Sequence, residues 1–209
     1  MKFLYVYHGE KYRSEALGSA KSLLLQHSSA DITVICPAGQ ELALEHVKHI
    51  NIEATSNNNG FRYKIFGICK FIEDEFIYLD TDTTIINKPI GLFEANNLAG
   101  LAGVPEPLLC SFNAIQSLVR PNTWKQSTLP EINTGVISIN RRLLPKDFLE
   151  QWIRFHDQLI SVNCKFTNGS VPDQPSLLAA IIHNKITPFT LVRLTIFEPA
   201  ILKFSMSRS

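Results

Sequence analysis

Dense apolar runs of five or six residues alternate along this chain with longer stretches whose apolar positions return every three or four residues. Lys2-Phe3-Leu4-Tyr5-Val6-Tyr7 is aromatic and branched and predicts a buried first strand, broken by His8-Gly9-Glu10-Lys11. Over residues 14–26, Ala16, Leu17, Ala20, Leu23 and Leu24 recur at helical spacing. Residues 31–36 predict a second strand, closed by Pro37-Ala38-Gly39. A short helix over 42–49, a short third strand over 50–54, a polar loop over 55–60 and a helix over 61–72 follow. They lead into Phe76-Ile77-Tyr78-Leu79-Asp80-Thr81-Asp82-Thr83-Thr84-Ile85-Ile86, where a buried strand ends in two carboxylates.

The second half predicts a short helix over 89–95 and a Gly-punctuated strand over 99–104. Residues 105–131, with prolines at 105, 107, 121 and 130, read as a long loop: either a lid or plain surface wrapping. A strand over 132–140 is entered through Asn133-Thr134-Gly135. Residues 141–160 supply an amphipathic helix after Pro145, with Phe148, Trp152, Phe155 and Leu159 on one face. Val171-Pro172-Asp173-Gln174-Pro175 opens a helix over 176–183 with Asp173 near its N-cap, and 186–196 reads as a final strand region. This β-α-β-α-β-α-β order predicts an α/β fold, a mostly parallel sheet flanked by helices on both faces. Ligands of such sheets sit beyond the carboxyl ends of the strands, which places residues 8–12 and 80–82 on one rim.

Composition narrows the function classes. At 209 residues the chain fits one domain, and with 45% hydrophobic and 19% charged residues it is neither disordered nor in need of staples. A formal net charge of +1 gives no nucleic-acid footprint. Cys36, Cys69, Cys110 and Cys164 lack metal-ligand spacing, and the first two lie in apolar patterns as buried thiols. No stretch approaches the roughly 20 apolar residues of a transmembrane segment, and no signal peptide precedes the first strand. The expectation is a cytoplasmic, reducing compartment.

Asp80-Thr81-Asp82 carries the candidate chemistry. Side chains at i and i+2 leave a strand on the same face, so both carboxylates can converge on one hard cation. The plain alternative is an Asp/Thr turn with both acids solvated. Four apolar residues and Asp-x-Asp-x-Thr also open the phosphatases of the haloacid dehalogenase type, with Asp80 as nucleophile and Asp82 as acid/base. That family places the motif on its first strand and needs a pair of downstream metal-binding acids. None of the later acids forms a closely spaced pair ending a strand.

The ordered motifs resemble the GT-A nucleotide-sugar glycosyltransferases, most closely family 8. There an Arg- and Lys-bearing helix (here Arg62 and Lys64) precedes Tyr-Leu-Asp-x-Asp (Tyr78 to Asp82). An Asn-x-Gly-Val strand (Asn133 to Val136) and an Asp-Gln at a helix start (Asp173-Gln174) follow, and the match covers residues 1–183. The resemblance implies a single GT-A domain, with a nucleotide-binding half over about 1–88 and an acceptor-side half over about 89–209. It implies Mn²⁺ or Mg²⁺ held by Asp80 and Asp82, and a UDP-sugar donor contacted by His8, Tyr12, Arg62, Lys64, Thr81 and Asn133 as well as by the two acids. It also implies Asp173 and Gln174 near the anomeric carbon, transfer with retention, and a glycan or glycoprotein acceptor. A non-catalytic sugar-nucleotide-binding domain is the alternative. The family's C-terminal His-x-x-Gly-x-x-Lys-Pro-Trp element is lacking; His183 lies on an apolar helix, and Lys203 stands in for the lysine by position alone. A minimal core, one domain of a longer polypeptide, is the corresponding expectation.

Overall fold

The computed structural model describes residues 1–54, 60–106, 131–161 and 171–191. The expected loop over 105–131 and the strand region beyond 191 fall mostly outside the described residues, as do Cys110, Cys164 and Lys203. Strands β1 (Lys2–Val6), β2 (Asp31–Cys36), β3 (Lys48–Asn51), β4 (Glu75–Leu79), β5 (Leu101–Glu106), β6 (Glu131–Asn140) and β7 (Phe189–Thr190) form one sheet in the order β3-β2-β1-β4-β6-β5-β7. The pairs β1–β2, β1–β4, β2–β3 and β5–β7 are parallel, while β6 runs antiparallel to both β4 and β5. Period-two alternation sends successive side chains of each strand to opposite faces, and helices seal both.

On one face Leu4, Val6, Phe76 and Tyr78 pack with Tyr63, Ile65 and Ile68 of α2 (Gly60–Lys70), Phe148 and Trp152 of α4 (Phe148–Ser161), and Leu177 and Ile181 of α5 (Gln174–His183). On the other, Phe3, Tyr5, Ile77 and Leu79 meet Ala16, Ala20 and Leu23 of α1 (Glu10–Gln26) and Leu92 and Ala95 of α3 (Ile90–Ala99). Gly67 lets α2 lie close on the sheet, because a Cβ there would stand 2.5 Å from a Val6 methyl. That approach brings Lys64, one turn earlier, over the end of β4.

Two expectations are corrected. Residues 42–49 form no helix. The chain from Gln40 to Leu42 spends its polar groups elsewhere: Tyr7 Oη donates to the Gln40 carbonyl, Arg13 Nε to the Glu41 carbonyl, and the Leu42 N–H to His49 Nε2. Residues 48–51 are then free to pair with β2. Second, α1 starts at Glu10 rather than Ser14. Gly9 sits at φ 100 ahead of it, a conformation glycine tolerates, so only Tyr7, His8 and Gly9 separate strand from helix. The helix expected after Pro145 forms as α4, and a separate short turn precedes it. Asn140 Oδ1 accepts from the Arg142 N–H and caps a 3₁₀ turn, Arg141–Leu143, and Pro145 keeps it apart from α4. Among the described residues no helix is long and apolar enough to cross a membrane.

Candidate active site

Adjacent parallel strands β1 and β4 end at one edge of the sheet, so the segments that leave them meet there. A cleft of about 350 Å³ opens between them, lined by His8, Tyr12 and Glu15 on one side and by Asp80, Thr81 and Asp82 on the other. Gly60, Phe61 and Lys64 of α2 form its back. The two carboxylates do not leave a strand on one face, as alternation suggested. β4 stops at Leu79, and Asp80 to Asp82 is a turn closed by the Thr83 N–H donating to the Asp80 carbonyl at 3.2 Å. Asp80 is thereby part-buried and Asp82 exposed. Thr81 Oγ1 donates to Glu15 Oε2 at 3.1 Å, tying this turn to α1.

Beneath the cleft lies a chain of charge. Lys64 Nζ stands 2.9 Å from Asp80 Oδ1 and 2.9 Å from Asp173 Oδ2, with the Lys64 and Asp173 side chains 5% and 3% exposed. Tyr78 Oη donates to the same Asp80 Oδ1 at 2.5 Å, and the ammonium lies 4.9 Å from the centre of the Tyr78 ring. Burial pushes the Lys64 pKa down, but Asp173 and Asp80 outweigh it and hold the ammonium above its ordinary value. Burial raises the Asp80 carboxyl, and Lys64 opposes the rise. Tyr78, sealed and facing Asp80, is held neutral well above the usual phenol range. On the sheet side the Asp80 N–H donates to the Gly135 carbonyl at 2.7 Å, and a Cβ at Gly135 would come 3.0 Å from Asp80 Oδ2. The glycine therefore leaves the second carboxylate oxygen its space.

The remaining expected residues divide. His8 and the 44%-exposed Tyr12 line the cleft, and the His8 ring meets Tyr63 edge-on at 5.1 Å. Asn133 Oδ1 accepts from the Gly135 N–H and shapes the strand beside Asp80. Arg62 instead reaches Asp157 on α4, with Nε at 2.6 Å and Nη2 at 3.1 Å from its two oxygens, and braces α2 against α4. Asp173 is 2% exposed and sits below the described cleft lining, while Gln174 is part-buried at the first turn of α5. His183 is exposed at the end of that helix against Phe155, and among the described residues no group of three or more His, Cys, Asp or Glu is placed to hold a metal ion.

Sequence reasoning missed Tyr78 and His156. The signal for Tyr78 was present: it lies two positions before Asp80, next to the last residue of β4. His156, one turn after Trp152, is fully buried, and neither ring nitrogen finds a hydrogen bond among the described residues. Burial pushes its pKa below the ordinary 6.5, against the opposing pull of Asp173 and Asp157. A depressed base stabilises the fold above its unfolded pKa and loses that contribution as pH falls. Below pH 6.5 the unfolded chain takes up a proton that the folded state refuses. Urea midpoints of the wild type are expected to fall more steeply between pH 7 and 5.5 than those of His156→Leu, by up to about 1.4 kcal/mol per pH unit. Parallel pH profiles for the two proteins would contradict this.

No family model matches the sequence, and no curated protein matches it. Solved structures do resemble the fold. A structure of the galactosyltransferase LgtC with donor and acceptor sugar analogues superposes with a TM-score of 0.56 at 13% identity, covering 87% of this chain and 70% of that one. The bifunctional glycosyltransferase WbbM gives 0.60 at 11% identity, covering 91% and 38%, and mouse xyloside xylosyltransferase 1 gives 0.55 at 15% identity, covering 91% and 85%. The mostly parallel seven-stranded sheet with its flanking helices is a GT-A, Rossmann-like α/β fold. The chain spans most of LgtC and of the xylosyltransferase, and well under half of WbbM.

Proposed function

We propose that this chain is a metal-assisted glycosyltransferase that moves a sugar from a nucleotide-sugar donor, a UDP-sugar, to a hydroxyl of a glycan or other acceptor, with retention. The observation that carries the reading is the meeting of Asp80 and Asp82 with His8 and Tyr12, from an unrelated stretch, across one cleft at the strand ends. The fold neighbours, glycosyltransferases by name, support it. The donor's nucleotide half lies against residues 1–88 in this reading and its acceptor against the rest of the domain.

Each residue's part follows from its surroundings. The exposed Tyr12 ring offers a stacking face to the base, and His8 a polar edge beside it. Asp80 and Asp82 fit Mn²⁺ or Mg²⁺ as hard oxygen donors. Asp80 Oδ2 is kept clear by Gly135, and two carboxylates leave the other coordination positions to diphosphate oxygens and water. When bound, such an ion supplies Lewis-acid stabilisation of the diphosphate leaving group. Asn133 fixes the Gly135 backbone, and Gln174 stands at the start of α5 as the side chain for the reacting sugar. Asp173, buried beneath Lys64, is a positioning residue and not a nucleophile in this arrangement. Arg62, paired with Asp157, acts on the donor only through the placement of α2.

The phosphatase alternative needs its Asp-x-Asp at the end of the first strand, whereas Asp80 follows β4. Calorimetric titration with UDP-sugars in Mn²⁺ tests the proposal. Saturable, metal-dependent binding is expected, with slow release of UDP and free sugar when no acceptor is present, and Asp82→Ala is expected to abolish the metal dependence. Binding that is unchanged in Asp82→Ala sinks the reading. Binding without any donor hydrolysis points to the non-catalytic domain instead.

A further inference from the structure

We infer that Lys64 is the site's resident counter-cation: its ammonium pairs with Asp80, so a divalent cation is held well only when an anionic diphosphate arrives with it. The inference rests on the function proposed above and adds an order of events to it. The distances carry it. Lys64 Nζ is shared evenly, 2.9 Å from Asp80 and 2.9 Å from Asp173, and both its own side chain and that of Asp173 are sealed from water. Two carboxylates against one ammonium leave a formal charge of −1 in a region where charge is poorly screened. The excess favours a further cation, but the place is guarded. Asp80 Oδ1 already faces Lys64 and receives the Tyr78 hydroxyl, so Oδ2 beside Gly135 is the oxygen left open.

A bare divalent ion at Oδ2 therefore meets a fixed ammonium across one carboxylate, and like charges at that range repel strongly. A diphosphate reverses the balance by adding negative charge to the cation's far side. Lys64 needs only to shift its weight along the line joining its two partners, since Asp173 is in place to hold it. Nothing in this step forms or breaks a covalent bond. Asp173, which the cleft does not reach, thereby affects cation binding through Lys64.

This gives an opposed pair of expectations that simple structural damage does not produce. Mn²⁺ binding is read by loss of the free-ion electron paramagnetic resonance signal, with and without UDP, corrected for Mn²⁺·UDP in solution. In the wild type, saturating UDP is expected to tighten Mn²⁺ binding by about tenfold or more. Lys64→Met removes the charge at similar length; it is expected to tighten binding of Mn²⁺ alone by about tenfold and to shrink the gain from UDP. Asp173→Asn leaves Lys64 to Asp80 alone and is expected to weaken binding of Mn²⁺ alone. A Lys64→Met protein that binds bare Mn²⁺ no better than wild type overturns the inference but leaves the proposed function standing. A wild type that takes up no Mn²⁺ with or without UDP removes both. Should Lys64→Met fail to fold by circular dichroism, Asp173→Asn decides: unchanged or tighter binding of bare Mn²⁺ overturns the inference.

Discussion

Asp80→Asn is expected to lower donor turnover by roughly 10²–10³-fold, the loss that follows removal of one pre-placed electrostatic group, ~2.7–4 kcal/mol. The side chain keeps its shape and an oxygen for the Tyr78 hydroxyl but loses the charge that would hold the cation. Lys64 retains Asp173 as its partner, so the buried ammonium is not orphaned. Stability should therefore not fall with activity. Burial, only partly offset by Lys64, raises the Asp80 carboxyl above the ordinary 3.8. A raised acid favours the fold only while protonated, and its contribution is lost as pH climbs from 3.8 through the folded pKa. At neutral pH the charge is thus a burden on the fold, accepted at a functional site. The paired measurement is steady-state UDP release and the melting temperature. Turnover above a tenth of wild type, or a lowered melting temperature that accounts for the lost activity, refutes this role for Asp80.

Trp152→Ala is expected to destabilise the protein by about 3–5 kcal/mol, a large part of the 5–15 kcal/mol that holds a typical domain together. Among the described residues Trp152 is the largest fully buried side chain, at the centre of α4 where α2, α5 and the sheet converge. Its indole Nε1 donates to Ser176 Oγ at 3.1 Å, and Ser176 Oγ donates to the Asp173 carbonyl at 2.6 Å. The same residue thus fills the core and fixes the first turn of α5, which carries Asp173 to Lys64. Trp152→Phe keeps most of the apolar area and leaves the serine hydroxyl without its donor, a loss nearer 1 kcal/mol. Urea denaturation monitored by circular dichroism separates the two. A midpoint for Trp152→Ala within 1 kcal/mol of wild type would mean that the core around α4 is looser than its packing indicates.

Local pattern determined much of this protein. The dense runs at Phe3 to Val6, Ile32 to Cys36 and Phe76 to Leu79 are strands because continuous branched and aromatic sequence suits a doubly covered sheet. The three- and four-residue spacing through Trp152 and Leu159 made a helix for the same kind of reason. Alternating elements then placed His8 and Asp80 at one rim, because parallel strands carry their following loops to the same edge. Residues 42–49 were misread because hydrogen bonds from Tyr7 and Arg13 to the neighbouring backbone, and from the Leu42 N–H to His49, outbid a weak helical pattern. The direction of β6 was also illegible, since strand periodicity is the same in either sense.

Asp80-Thr81-Asp82 was legible as a place but not as an arrangement. The sequence by itself determined that two carboxylates end a buried strand, with lysine-bearing, glycine-bearing and Asp-Gln segments elsewhere in the chain. Only the tertiary structure decided that Lys64 lies between Asp80 and Asp173, that Arg62 turns away to Asp157, and that Asp173 is sealed beneath the cleft. The physical reason is that burial and charge pairing are set by the packing of α2, α4 and α5 across separations of tens of residues. Spacing along the chain carries no record of which ammonium meets which acid.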